Sequence, residues 1–281
     1  MMPVSIAIVS AGDKAEVQRC LSSVVAQKGV SQIIFIDDSH AQDLGPFVRA
    51  TFGEGSTVLS NGGNKGASYS RNRAAAEAKH EFVLFVDSDC VLEKGFLPAL
   101  ERAGSLLKRK DVAGISFKVF GPEGMFSQGI RTDRLLRTYN IRDLADAIQE
   151  VECINTCCCL LKRALFHERG FQEAFGYIFE DVEFSLYLRR KGLRFFYYPF
   201  STAYHTGNSF KTAGAHKVFL SYRNRLLTIV IHHRAKLPAF FCRSLWYECA
   251  RAVKLFCMDP RLLTRAWIEV FRYARQTQVC P

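Results

Sequence analysis

Five apolar residues, Phe82-Val83-Leu84-Phe85-Val86, run straight into two carboxylates one residue apart, in Asp87-Ser88-Asp89. A run without polar alternation reads as a strand covered on both faces, which commits the chain to a sheet with helices packed above and below it. Burying one carboxylate costs several kcal/mol, and a second beside it costs more unless a cation lies between them. Oxygen ligands at the C-terminal end of such a strand, where open α/β sheets keep their ligands, suit Mg²⁺ or Mn²⁺ held with substrate phosphates. The plainer alternative is a polar turn, with Asp89 as the N-cap of a following helix.

The flanking pattern repeats this alternation. Val4 to Val9 predicts a first strand, and Asp13 with Glu16 opens a helix that turns Val17, Leu21, Val24 and Val25 to one face before Gly29. Ile33 to Ile36 predicts a second buried strand, again ending in paired acids, Asp37 and Asp38. A short strand near Thr57 to Leu59 leads through the turn-rich Asn61-Gly62-Gly63-Asn64-Lys65-Gly66 into a helix carrying Ser70, Arg71 and Asn72. Strand, helix, strand, loop, helix, strand predicts a mostly parallel sheet with right-handed crossovers. The glycine loop is not a dinucleotide fingerprint, because that motif follows the first strand, where only Gly12 occurs; no P-loop is present either.

Beyond Asp89 the pattern predicts a helix over Gly95 to Leu107 and a strand over Val112 to Val119. A mobile loop over Phe120 to Arg137 follows, and order resumes from Leu160 to Phe166. Phe179-Glu180-Asp181-Val182-Glu183 reads as the acidic start of a helix ending near Gly192, where carboxylates also serve the helix dipole. Arg194 to Tyr198 is a further strand, followed by Ala203-Tyr204-His205.

At 281 residues and 48% hydrophobic composition, one large α/β domain over residues 1–215 is expected, with an appended helical segment over 216–281. The N-terminus shows no secretory signal pattern, and no apolar run approaches the roughly 20 residues of a spanning helix. Cysteines then read as reduced and mostly buried, three of the ten being consecutive at Cys157 to Cys159. The expected location is cytoplasmic.

The formal net charge is +11, and twelve Lys or Arg against three acids fall from Lys217 onward. There they interleave at helical spacing with Phe240, Leu245, Trp246, Val253, Phe256, Trp267 and Phe271, as in a segment lying on an anionic membrane surface. A solvated face packed on the main domain and a nucleic-acid surface are the alternatives.

Taken in order, these stations resemble inverting family 2 glycosyltransferases with a GT-A fold, and in particular rhamnosyl- and galactofuranosyl-transferase-like members. The resemblance covers about residues 3 to 225. It rests on Leu21-Ser22-Ser23 to Gln27; Ile36-Asp37-Asp38-Ser39; Asn64-Lys65-Gly66-Ala67 leading to Arg71-Asn72; Asp87-Ser88-Asp89; and Glu180-Asp181 followed by Leu188-Arg189-Arg190-Lys191-Gly192, Tyr198-Pro199 and His205. It implies a UDP- or dTDP-sugar donor, a Mg²⁺ or Mn²⁺ cofactor, and a polysaccharide or lipid-linked acceptor at the inner membrane face. Nucleic acid is not an expected partner.

The implied roles are specific. Asp38 would accept from the base; Ser10, Asn64, Lys65, Arg71 and Asp87 would line the nucleotide; Asp89, Asp87 and His205 would hold the metal. Asp181 would be the catalytic base, with Glu180 as its neighbour and the alternative candidate. A non-catalytic binding protein on the same sheet is the competing reading from another functional class.

Overall fold

In the computed structural model, which describes residues 2–39, 44–53, 56–206, 214–234 and 237–276, strands and helices alternate through the first third. The order is β1 (Val4–Ser10), α1 (Lys14–Val25), β2 (Gln32–Asp37), α2 (Gly45–Phe52), β3 (Thr57–Ser60), α3 (Ala67–Glu77) and β4 (Phe82–Asp87). Then come β5 (Cys90–Leu92), α4 (Phe96–Ala99), α5 (Gly104–Lys108), β6 (Val112–Gly121), β7 (Gly124–Ser127), β8 (Ile130–Thr132), β9 (Thr138–Asn140), β10 (Gln149–Val151) and β11 (Cys158–Lys162). The chain continues through α6 (Glu180–Arg190), β12 (Arg194–His205), α7 (Ala215–His233), α8 (Leu237–Met258) and α9 (Pro260–Gln276).

The main sheet runs β10-β12-β6-β11-β4-β1-β2-β3. β1 lies parallel to both β2 and β4, and β2 parallel to β3, so their C-terminal ends, with Ser10, Asp37, Ser60 and Asp87, share one edge. The two-residue period of a strand divides each apolar run between two cores. Val4, Ile6 and Ile8 pack with Phe82, Leu84 and Val86 on one face, while Ala7, Val83 and Phe85 pack on the other. Each such buried side chain contributes about 1.5–3 kcal/mol. α1 begins where its sequence predicts, since the Asp13 carboxylate accepts from the amides of Ala15 and Glu16.

The structure differs from the sequence expectation at three places. β11 inserts antiparallel between β4 and β6, so the sheet is mixed. Helix 95–107 is instead α4, a 3-10 turn over Leu100–Ala103, and α5. The stretch from Phe120 to Arg137 is no mobile loop: β7 folds back antiparallel on β6, and β8 pairs with β9. Its pairing partners lie outside any local apolar period, so no periodicity announced them.

α7, at the junction expected near residue 215, shares a core with the preceding domain. Phe219, Tyr222 and Leu226 pack with Phe175, Phe179 and Val182, and with Leu255, Ala266 and Val270 of α8 and α9.

Candidate active site

Asp89 caps no helix. The residues after it form β5, which pairs antiparallel with the end of β12, and this register sets His205 opposite Cys90. The Thr206 amide donates to the Asp89 carbonyl at 2.9 Å, closing the junction. As a result the Asp89 carboxylate lies 3.4 Å from His205 Nε2, both side chains being almost wholly buried. One ligand atom each from Asp89, Cys90 and His205 falls within 4.8 Å of the others. The Phe126 ring stacks on the imidazole at 5.0 Å and 3°, fixing its plane. The Asp89 carboxylate and the His205 imidazole converging in a buried corner fit a divalent transition ion such as Mn²⁺, while burial pushes the pKa of the neighbouring Cys90 thiol well up, which makes it the weakest ligand of the three.

Asp87 does not join those three, against the expectation that it is a metal ligand. Its Oδ1 accepts from Arg71 at 2.7 Å, and the same guanidinium donates to Glu180 Oε1, also at 2.7 Å. Arg71 is 5% exposed and Glu180 6%, whereas Asp87 keeps 30%. Burial alone would lower the Arg71 pKa, but the charges of Asp87 and Glu180 more than offset this and raise it. Arg71 is thus a buried tie between β4 and α6. Its guanidinium is engaged with protein carboxylates, which is a different position from one lying open against a nucleotide.

Next to this tie, Asp181 opens α6. Its Oδ1 accepts from the Val182 amide at 2.8 Å, and a backbone amide at Thr156 also favours its charged form. Burial, and then the neighbouring Glu180 charge, outweigh these and push its pKa up to about 7. Glu180 Oε1 takes both Arg71 and the Thr156 hydroxyl, while Oε2 is buried with no hydrogen-bond partner among the described residues. The two adjacent acids are therefore differentiated: Glu180 is held by a cation, and Asp181 is poised to exchange a proton near neutrality.

The third group lies at the ends of β1 and β2. Ser10 Oγ accepts from the Gly12 amide at 3.2 Å, and its carbonyl accepts from the Asp38 amide at 2.7 Å. Asp38 Oδ1 accepts from Asn61 Nδ2 at 2.6 Å and the Lys65 amide at 2.8 Å, and Oδ2 from the Gly66 amide at 2.9 Å. Asp38 therefore organises the loop that carries Asn64 and Lys65. Asn61 also donates to Ser70, which ties the loop to the helix bearing Arg71. Gly66 is required here: its φ is +93°, and a Cβ would stand 2.8 Å from the Gly176 Cα.

Two features went unread in the sequence. By sequence Cys90 reads as one more buried cysteine, and its place directly after Asp89 is the signal that sets it apart. The burial of Arg71 had no local signal, because Glu180 lies 109 residues away.

Residues 5–170, over half of the chain, match the family model described as Glycosyl transferase family 2. The chain belongs to this family. Its fold is GT-A-like, and solved structures share it at low identity. A structure of GalNAc-T7 with UDP, GalNAc and Mn²⁺ is 16% identical with a TM-score of 0.64, over 81% of this chain and 47% of that one. TarS 1–349 from S. aureus in complex with UDP is 18% identical with a TM-score of 0.53, over 82% of this chain and 66% of that fragment. The mannosyltransferase PcManGT from Pyrobaculum calidifontis, with GDP-Man and Mn²⁺, is 14% identical with a TM-score of 0.58, over 98% and 76%. The chain thus spans about half the length of the GalNAc-T7 chain, and 40% of the TarS chain in a second structure of that protein. No curated protein matches it.

Proposed function

We propose that this family 2 member is a metal-dependent inverting glycosyltransferase. It moves a hexosyl or deoxyhexosyl group from a UDP- or dTDP-sugar to a hydroxyl of a polysaccharide or lipid-linked acceptor, in the manner of rhamnosyl- and galactofuranosyl-transferase-like members. The observation that carries this reading is the pairing of a buried Asp89, Cys90 and His205 cluster with an Asp181 carboxyl whose pKa is raised to about 7.

Asp89 and His205, with Cys90, would hold Mg²⁺ or Mn²⁺, which when bound neutralises charge developing on the departing diphosphate. The imidazole favours Mn²⁺ of the two. Asp38, Ser10, Asn64 and Lys65 would form the nucleoside side of the site, and Asp87 the ribose side. Asp181 takes the proton from the acceptor hydroxyl as it attacks the anomeric carbon. Glu180, fixed by Arg71, sets its carboxylate beside Asp181, and this neighbour adds to the rise in the basicity of Asp181. One displacement at the anomeric carbon inverts its configuration.

Placement in the cytoplasm against the inner membrane face belongs to the same proposal, and the surface of α8 supports it. This helix exposes Leu245, Val253, Phe256 and Trp246, the last 87% exposed. The three acids of the segment are engaged internally: Glu248 with Arg225, Glu269 with Arg223 and Arg265, and Asp259 with the Arg261 amide. The outward charge is therefore positive, suiting anionic lipid. Among the described residues no helix is long and apolar enough to cross a membrane.

The reading is tested by incubating the protein with a panel of UDP- and dTDP-sugars and Mn²⁺, then assigning the anomeric configuration of any product by NMR. Inverted product is expected; retained configuration, or no donor consumed, contradicts it.

A further inference from the structure

Three successive residues in the middle of α7, Arg223, Asn224 and Arg225, are polar and buried, the last two completely. Successive helical positions point about 100° apart, so a run of this kind buried within an apolar helix needs separate partners for each side chain. The partners lie on irregular backbone. Asn224 Nδ2 donates to the carbonyls of Phe175 at 2.9 Å, Tyr177 at 3.0 Å and Ile178 at 2.6 Å. Arg223 donates to the carbonyls of Ala174 at 2.9 Å and Phe175 at 3.0 Å, and its Nε holds Asn224 Oδ1 at 2.9 Å, orienting the amide. The remaining carbonyl, that of Gly176, accepts from the Ser68 amide at 2.8 Å. Every carbonyl from Ala174 to Ile178 is thus met, chiefly by α7.

This backbone is costly to hold. Ile178 and Phe179 have φ of +68° and +75°, a region that residues with a Cβ enter at an energetic penalty. Phe179 directly precedes α6, where a helix ordinarily takes an extended capping residue. The left-handed pair turns the chain so that Glu180 meets Arg71 and Asp181 follows it at the site. The Phe179 ring is anchored in the core against α7, and the carbonyls of the turn are held by the Asn224 amide.

We propose that Asn224 is a positioning residue for the transfer reaction, holding the left-handed Ile178-Phe179 turn that sets Asp181 in place. The proposal rests on Asp181 being the base. It gives α7 a role in the reaction, although this helix lies beyond the family match and contributes no group to the cation cluster or the nucleotide loop.

The test uses the full chain, with UDP release from the nucleotide sugar that most raises its melting temperature in Mn²⁺, water serving as acceptor, and UDP affinity by calorimetry. Asn224→Ala should lower turnover about 10- to 100-fold, as expected when a catalytic group moves by an ångström. UDP affinity should stay within about twofold, because the cation cluster and nucleotide loop are untouched. The acid limb of its pH profile should shift below that of wild type, since a loosened turn exposes Asp181 and relieves the burial that raises its pKa. Asn224→Ser, which returns one donor, should recover part of the loss, and it carries the same readouts if Asn224→Ala does not fold.

Ile178→Gly removes the Cβ penalty of the turn, so turnover of the double variant N224A/I178G should exceed that of N224A alone by about threefold or more. Undiminished turnover in a folded Asn224 variant overturns the proposal, as does a parallel fall in UDP affinity or an unmoved acid limb. Asp181→Asn keeps the two readings apart. If it stays active, the base assignment fails; if it is inactive beside a fully active N224A, only the positioning role fails.

Discussion

Asp181→Asn should make the protein more stable at alkaline pH while removing its activity. In the folded chain the Asp181 carboxyl ionises at about 7, against an ordinary value of 3.8, because burial and the Glu180 charge oppose ionisation. Between pH ~4 and ~7 the native state therefore keeps a proton that the unfolded chain has lost, and this group's contribution to stability falls as pH rises through that window. At ~1.4 kcal/mol per pH unit the full effect is ~4 kcal/mol. Asp181 is partly exposed and shares its charge with Glu180, which reduces the expected gain to ~2 kcal/mol. An amide of the same shape avoids the ionisation, so D181N at pH 8 should melt roughly 4–8 °C above wild type. At pH 4.5 the two should converge. Differential scanning calorimetry at the two pH values, without nucleotide, measures this. A D181N protein no more stable than wild type at pH 8, or with an advantage independent of pH, would refute the argument that Asp181 is a strained carboxyl.

Arg71→Met should destabilise by ~3 kcal/mol, because it leaves the buried Glu180 and the half-buried Asp87 without their shared cation; urea unfolding measures it, and a loss under 1 kcal/mol would contradict the tie. Gly66→Ala forces a Cβ against Gly176 at a left-handed position, so it should cost ~2 kcal/mol and weaken UDP binding together; a neutral result would show that the loop yields freely. Trp246→Glu with Phe256→Glu should reduce flotation with vesicles containing anionic lipid by tenfold or more while leaving UDP affinity intact; unchanged flotation would remove α8 as a membrane surface.

Much of the nucleotide edge was legible because its signals are local. An apolar run that stops at an acid declares a buried strand and its ligand end, as at Val86-Asp87 and Ile36-Asp37, and Asp13 declares a helix start through its own next turn. The pairing of Asp89 with His205 was visible only through the order of family-like stations, since their approach depends on β5 meeting β12. Other features depend on long-range contacts and left no local pattern. The folding of Phe120 to Arg137 onto neighbouring strands is one, and the Arg71 bridge to Glu180 is another. The Arg223-Asn224-Arg225 run did carry a signal, three polar residues interrupting an apolar helix, but its meaning lay in carbonyls about 46 to 49 residues away. Nine described cysteines are free, as expected, yet Cys242, Cys249 and Cys257 lie exposed on α8, which composition alone does not disclose.

The central claim is that Asp89 and His205 form a cation site that binds a nucleoside diphosphate. Calorimetric titration of UDP into wild type and Asp89→Asn, each with Mn²⁺ and with EDTA, tests it most directly. The account predicts UDP binding to wild type in Mn²⁺, a loss of tenfold or more with EDTA, and the same loss in D89N whether or not Mn²⁺ is present. Equal UDP affinity in all four titrations, or none in any, would contradict it.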